Sequence, residues 1–554
     1  MGLFKRVALL FCTAAACSAA PPPHIGYLIH CGNIDEAIAE YDTWYQENYT
    51  HDFDTLEKLG ISLLEQGWRS KEVEEKVLAL FGASVAAHDK VTHILAEGLE
   101  SPVPQIQLIS LNFLAKQQTD EAEKAIHKAL SSPYLPIRLE AAFYLALKKD
   151  RKAVTVAETL MGKLPPELKA LFPKIFASAG TPDATRIVKK LMSDSQDRVR
   201  IEAILSAAEF HRDELIPSIR SRLKQHNSFQ QEACAIALAV LKAEESIPQL
   251  EKIADSKNEN VRLAACYALV QMGQKEKVAE ISKLAQEGNV FAITALGATE
   301  GTEELLAPML ESSNPQVKFN AALSLLERRD PRAVPVVTEI LIRDARDLGF
   351  AKLTSPSGAM SSCKVISSAT QHAQNTPFSM ELSVSIREEA LAKCAEYPQE
   401  IFLGIIEQLF RSHQTELVPM AIALLENVQS QETVALLQKY QHLVGAPLTR
   451  NYAALALYKM RAPGNHAETL FDWIRENRRT KLIEFRTFIP LEARLNRSPF
   501  DLTPEQSSKL LVDTLEAFAK SQDDQGIYAL LNAIHSGHPK NKYALAGLLI
   551  RTNQ

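Results

Sequence analysis

Apolar residues return along the chain at a nearly constant interval. The residues that open successive candidate helices are Ile106, Ile137, Leu168, Val199, Phe229, Val261 and Val317, then Ile386 and Leu417, with the polar Thr449 closing the series. Steps between residues 106 and 261 are 31, 31, 31, 30 and 32, and 386 to 417 to 449 gives 31 and 32. The step of 56 from Val261 to Val317 reads as two shorter units, with a degenerate repeat near Val290. Four residues beyond each opener stands a mostly small side chain: Ser110, Ala141, Phe172, Ala203, Ala233, Ala265, Ala321, Ala390, Ala421 and Ala453. Eight beyond, Leu114, Leu145, Phe176, Ala207, Ala237, Leu269, Leu325, Cys394, Leu425 and Leu457 complete an i, i+4, i+8 stripe, the signature of a helix with one buried face. Small residues in that stripe let neighbouring helices approach closely.

A second helix in each unit is marked by an apolar-Pro-x-apolar start, at Ile216-Pro217, Ile247-Pro248, Ala307-Pro308 and Val334-Pro335. Proline suits the first helical turn, where its missing N–H is no loss. Helix pairs at this period bury their faces by stacking on one another. The predicted fold class is therefore all-α: an α-solenoid (superhelix) of about 31-residue helical-hairpin repeats. Asn258-Glu-Asn-Val-Arg-Leu-Ala-Ala265, Asn314-Pro-Gln-Val-Lys-Phe-Asn-Ala-Ala322 and Leu135-Pro-Ile-Arg-Leu-Glu-Ala-Ala142 resemble HEAT repeats, in particular the short bacterial type related to phycobilin-lyase repeats. Gly32 to Tyr41 resembles the first half of a tetratricopeptide unit, with Ile34, Ala37, Ile38 and Tyr41 on one face.

The expected organisation is a signal peptide over 1–20, an N-terminal helical capping region over 21–100, the repeat array over 101–350, and a polar loop leaving the stack over 351–384. Repeats then continue over 385–460, and a further helical region fills 461–554. The loop assignment rests on the Ser, Thr and Gln content of 354–379. Thr503-Pro-Glu-Gln506 is expected to open a helix, and 541–551 to form a closing cap.

Directly after the opener, a basic residue recurs: Arg138, Lys169, Arg200, Arg262, Lys318, Arg387 and Arg450. A cation at a helix N-terminus opposes the macrodipole, so a compensating carboxylate or carbonyl of the adjoining repeat is expected, giving a structural ladder. Three residues after the opener come Glu140, Glu202, Glu232, Asn320 and Glu389. In a HEAT stack the Arg-bearing helices line the groove, so these are the candidate partner-binding positions, an acidic row suited to a basic or amphipathic segment.

Net charge of −6 and a pI near 6.2 leave no broad basic field for nucleic acid. Lys5-Arg6, the apolar run over 7–16 and the small residues up to Ala20, ahead of Pro21-Pro22-Pro23, read as a secretory signal, with Cys17 after Ala14-Ala15-Ala16 resembling a bacterial lipoprotein cleavage site. Lipidation of Cys17 would be the one route to a membrane. Cys31, Cys234, Cys266, Cys363 and Cys394 are too widely spaced for a CxxC motif, and the repeat-borne ones read as small core residues. HEAT-type di-iron enzymes use His-Glu pairs, and this chain contains no His-Glu dipeptide. Ser361-Ser-Cys-Lys364 matches only the letters of the S-x-x-K motif. The expectation is a non-enzymatic scaffold or adaptor of the bacterial envelope, without cofactor, that binds a protein. The alternative is a lyase- or chaperone-like protein acting on a bound client.

Overall fold

A computed structural model describes residues 20–117, 119–343, 348–367, 377–412, 415–481, 483 and 504–553. The signal segment and Cys17 lie outside the described residues, as does Thr503. In chain order the helices begin with α1 (Pro23–Cys31), α2 (Ile34–Asn48), α3 (Phe53–Arg69), α4 (Val73–Ala86) and α5 (Asp89–Gly98). Next come α6 (Pro104–Leu114), α7 (Asp120–Ala129), α8 (Leu135–Leu147), α9 (Arg151–Lys163), α10 (Phe172–Ala179), α11 (Pro182–Leu191) and α12 (Asp197–Glu209). They are followed by α13 (Ile216–Arg222), α14 (Ser228–Val240), α15 (Ile247–Ile253), α16 (Glu259–Gln271), α17 (Val278–Gln286), α18 (Val290–Gly297), α19 (Glu303–Leu306), α20 (Pro315–Glu327) and α21 (Val334–Ile342). Two strands intervene, β1 (Leu348–Thr354) and β2 (Ser361–Ser367). The chain continues with α22 (Pro377–Cys394), α23 (Gln399–Arg411), α24 (Val418–Glu426), α25 (Gln431–Gln441), α26 (Pro447–Lys459) and α27 (His466–Asn477). Last are α28 (Pro504–Ser521), α29 (Asp524–His535) and α30 (Asn541–Arg551). The described helices sort into two compact units, one within 96–473 and 504–510, the other within 20–95, 474–483 and 511–553.

The larger unit is the α-solenoid. Its first helices α6, α8, α10, α12, α14 and α16 stack side by side, as do α18 and α20, and α24 on α26. Helices α7, α9, α11 and α17 cover them from behind. Asparagine fixes several starts: Asn227, Asn258, Asn289 and Asn314 accept backbone N–H groups two or three residues on, which satisfies donors that have no partner inside the helix. Ala141, Ala203, Ala265, Ala321 and Ala453 are fully buried at the helix crossings. The degenerate repeat near Val290 is α18. There, a Cβ added to Gly297 would stand 2.8 Å from the Ser324 Cα of α20, so glycine sets how closely those helices approach.

One opener is displaced. Phe229 is 45% exposed, and the neighbouring Gln230, fully buried, takes the core place three residues after its N-cap, as Val199, Val261 and Val317 do. With Gln230 the steps become 31 and 31. A polar side chain holds a core position here because its amide is satisfied: Oε1 accepts from Arg200 Nε at 2.8 Å, and Nε2 donates to Gln225 Oε1 at 3.0 Å.

The predicted loop over 351–384 is corrected by the structure. Residues 348–367 form an antiparallel hairpin in which Phe350 pairs with Val365 and Lys352 with Cys363, and α22 begins at Pro377, ahead of the expected boundary. The Ser-Pro-Ser-Gly run is its tip, closed by Ser355 N–H to Met360 O at 2.9 Å and by Gly358 in the left-handed region at φ 78°. Serines mask the strand pattern, because both sheet faces are partly covered and apolar alternation is lost.

The smaller unit joins segments far apart in sequence. Helix α30 packs between α3 and α4. Glycines make that packing close: a Cβ on Gly60 would come 2.7 Å from Ala546 O, and one on Gly82 would meet Tyr543 O. Glu74 pairs with Lys481 at 2.6 Å and also with Lys540, while Asn553 donates to Glu57 at 2.9 Å. In α2, Ile34, Ala37, Ile38 and Tyr41 are buried on one face.

Candidate functional site

The five groove positions occupy unlike settings. Glu140 on α8 and Glu389 on α22 are exposed, Glu202 on α12 is half-buried, and Glu232 on α14 and Asn320 on α20 are 1% and 2% exposed. The shifted start of α14 explains Glu232. Counted from the N-caps, it shares a column with Ile201, Leu263 and Phe319, an apolar column, whereas Glu202 and Asn320 lie one residue further on.

Both buried positions are covered by the chain's own hairpin, whose strand β2 lies against α18 and α20. Asn320 meets Cys363 twice: Oδ1 accepts its backbone N–H at 2.9 Å and Nδ2 donates to its carbonyl at 2.8 Å. One turn earlier, Gln316 Nε2 also donates to the Cys363 carbonyl, and its Oε1 accepts the Val365 N–H at 2.9 Å. Two side-chain amides at i and i+4 on one helix thus pair with an extended backbone as a neighbouring strand would. Ser362 Oγ donates to Asn320 Oδ1 at 2.8 Å. At the hairpin base, Phe350 is fully buried, edge-on to Phe319 with ring centres 5.9 Å apart, and the Arg387 guanidinium lies 5.4 Å from its centre.

The tip reaches α14. Ser355 and Ser357 face the Glu232 carboxylate, yet burial outweighs them and holds this carboxyl above the usual range. Its Oε1 is buried without a hydrogen-bond partner. The hairpin is therefore an incomplete complement to this end of the face.

Further toward the N-terminus, α8 to α12 present an open surface. Leu171 is 48% exposed, Tyr144 Oη donates to Asn112 Oδ1 at 2.9 Å, and Lys174 lies 6.0 Å from the Phe143 ring centre while pairing with Glu209 at 2.7 Å. Burial raises the Glu202 carboxyl, opposed by Arg198 and Lys174. Charges are mixed there, so the acidity read from one column is partly offset by neighbours in others.

The basic column finds its acceptors mainly within its own repeat. Arg262 reaches Glu280 at 3.0 Å and the Ser256 carbonyl at 2.8 Å, Lys318 reaches Glu339 at 2.9 Å, and Lys169 pairs with Asp194. Arg200 bridges outward to Gln230 of the next first helix. The Nε atoms of Arg138 and Arg450 are buried without a hydrogen-bond partner. Arg387 donates to the Arg343 carbonyl at 2.8 Å besides covering Phe350.

Ser361 and Lys364 are both exposed on β2, and three residues apart on a strand they point to opposite faces, so no lysine activates that serine. Burial pushes the thiols up, to about 11 for Cys266 and about 12 for Cys363 and Cys394, which keeps them protonated and inert. Among the described residues no group of three or more His, Cys, Asp or Glu is placed to hold a metal ion. Sequence reasoning missed Gln316, Phe350, Ser355 and Ser357; the i, i+4 amide pair Gln316 and Asn320 was its available signal.

Residues 184–270 and 216–293 match the family model for HEAT repeats. The comparison with curated proteins found no match. Among solved structures, the complex of CpcE and CpcF of phycocyanin lyase from Nostoc sp. PCC7120 is similar at 18% identity and a TM-score of 0.30, over 39% of this chain and 91% of that one. The karyopherin Kap121p bound to Ste12p is similar at 12% identity and a TM-score of 0.43, over 94% of this chain and 62% of that one. Kap121p bound to the extreme C-terminus of the protein phosphatase Cdc14p gives 12% identity and a TM-score of 0.41, over 92% and 62%.

Proposed function

We propose that this chain, which carries HEAT repeats, is a non-enzymatic scaffold that holds a protein partner along its row of first helices. The observation that carries this reading is that the row already grips a polypeptide backbone, through Gln316 and Asn320. With α14 to α20 filled by the hairpin, the free stretch is α8 to α12, where Glu140 and Glu202 accept from basic side chains and Leu171 and Phe143 supply apolar contact. Glu140→Lys with Glu202→Lys should lower the association rate with the native partner on the order of tenfold at low salt, since charge complementarity acts chiefly on encounter. Glu140 is exposed and Glu202 half-buried, so a thermal melt run beside the binding assay separates lost recognition from lost folding. Unchanged binding in a normally melting double variant would remove the reading.

The site of action belongs to the same proposal: a bacterial envelope protein, periplasmic, envelope-attached or secreted. It is supported by Lys5-Arg6, the apolar run over 7–16 and the small residues before Pro21. Intact-mass measurement on native material should give a mature start between Cys17 and Pro21, with a diacylglycerol mass if Cys17 is lipidated. A mass retaining Met1 or Gly2 would rule out export.

A further inference from the structure

The hairpin is held through its main chain as well as through the buried Phe350. Repeats cohere chiefly through buried apolar stripes, and β2, besides burying Ile366, is bonded along its backbone at Cys363 and Val365. Backbone pairing does not depend on sequence. What limits the occupant is space: Ser362 stands among Asn320, Thr294 and the Val290 carbonyl, and Cys363 is 7% exposed, so two successive small side chains fit. At the end toward α14, Glu232 Oε1 remains buried and unpaired beside the tip. A strand running in the direction of β2 with a cation on its N-terminal side would supply the donor that the serines do not.

We propose that the face formed by α14, α18 and α20 is a binding site for an extended polypeptide strand, read through its backbone by Gln316 and Asn320 and through a basic residue by Glu232. The resident hairpin fills the site and gives way to a partner strand. This rests on the scaffold reading, but concerns other helices than α8 to α12, so the charge reversal at Glu140 and Glu202 leaves it untouched and the two fail separately.

The test uses the full chain and a fluorescent synthetic peptide of residues 358–367, with and without an arginine added at its N-terminus. In a variant whose residues 349–366 are replaced by a Gly-Ser linker, the plain peptide should bind at least tenfold more tightly than to the unaltered chain. Adding Gln316→Ala and Asn320→Ala should abolish that binding. The arginine should tighten it severalfold, a gain lost in Glu232→Gln. Should the linker variant not fold, Cys363→Pro, which removes the N–H that meets Asn320, replaces it. Hydrogen exchange in the unaltered chain gives an independent reading: the Cys363 and Val365 amides should exchange at least a hundredfold faster than buried amides of α20, through hairpin opening alone. A folded variant that ignores both peptides, or hairpin amides that exchange only together with α20, would make the hairpin a fixed strut and overturn the proposal.

Discussion

Gly547→Val is expected to unfold the smaller unit under conditions where the unaltered chain is fully native. A Cβ at this position of α30 would run into the carbonyl oxygen of Gly82 and stand 2.9 Å from its carbonyl carbon and 3.0 Å from Ala86 N. All three are main-chain atoms of α4, so no rotamer change relieves the clash and the helices must separate. Overpacking costs about 1–3 kcal/mol when side chains can yield, and the loss here should be ~3 kcal/mol or more. Trp44 and Trp68, two of the three tryptophans, lie in this unit, so the fluorescence melt reports it directly. Gly26→Ala is the control, since nothing lies within 4 Å of its added Cβ. Equal midpoints for Gly547→Val and the unaltered chain would mean that α30 does not pack as described.

Asn320→Leu should free the hairpin while leaving the array folded. The leucine keeps the branched shape but removes the acceptor for the Cys363 N–H and for Ser362, and one of the two donors to the Cys363 carbonyl. A buried donor left unpaired costs about 1–3 kcal/mol, and the lost bonds add to it, so docking should weaken by about 3 kcal/mol, roughly a hundredfold. Cys363 is the reporter, because burial shields its thiol and holds it protonated. Maleimide labelling of Cys363 should accelerate by about that factor, with Cys234 and Cys266 protected as before. Labelling that stays slow would show that Phe350 and its neighbours alone hold the hairpin.

The solenoid was legible because its cause is periodic. A stripe that recurs every 31 residues prescribes both the helix and its neighbour, and Ala265 or Ala321 in that stripe fixes how closely they meet. Phe229 misled the register because apolarity stood in for burial: Gln230 is buried by virtue of hydrogen bonds that composition does not show. Glu232 was thus selected through a one-residue error, and the structure gives it a different meaning, a carboxylate in an apolar column. The hairpin escaped notice since its strands carry serine and lysine where an exposed sheet would alternate. Docking of α30 on α3 and α4 was likewise illegible, for it joins residues more than 450 positions apart and repeats nothing.

The central claim is that the first-helix row, and no other face, receives polypeptide. A photo-reactive phenylalanine analogue placed at Glu140 or Glu202 tests it in the native cell, with the exposed Glu158 on the second helix α9 as the opposite-face position. Crosslinks to the same protein from 140 and 202, absent from 158 and lost on Glu140→Lys with Glu202→Lys, are the expected result. Equal capture from position 158, or none from 140 and 202 in cells where the protein is folded and abundant, would contradict it.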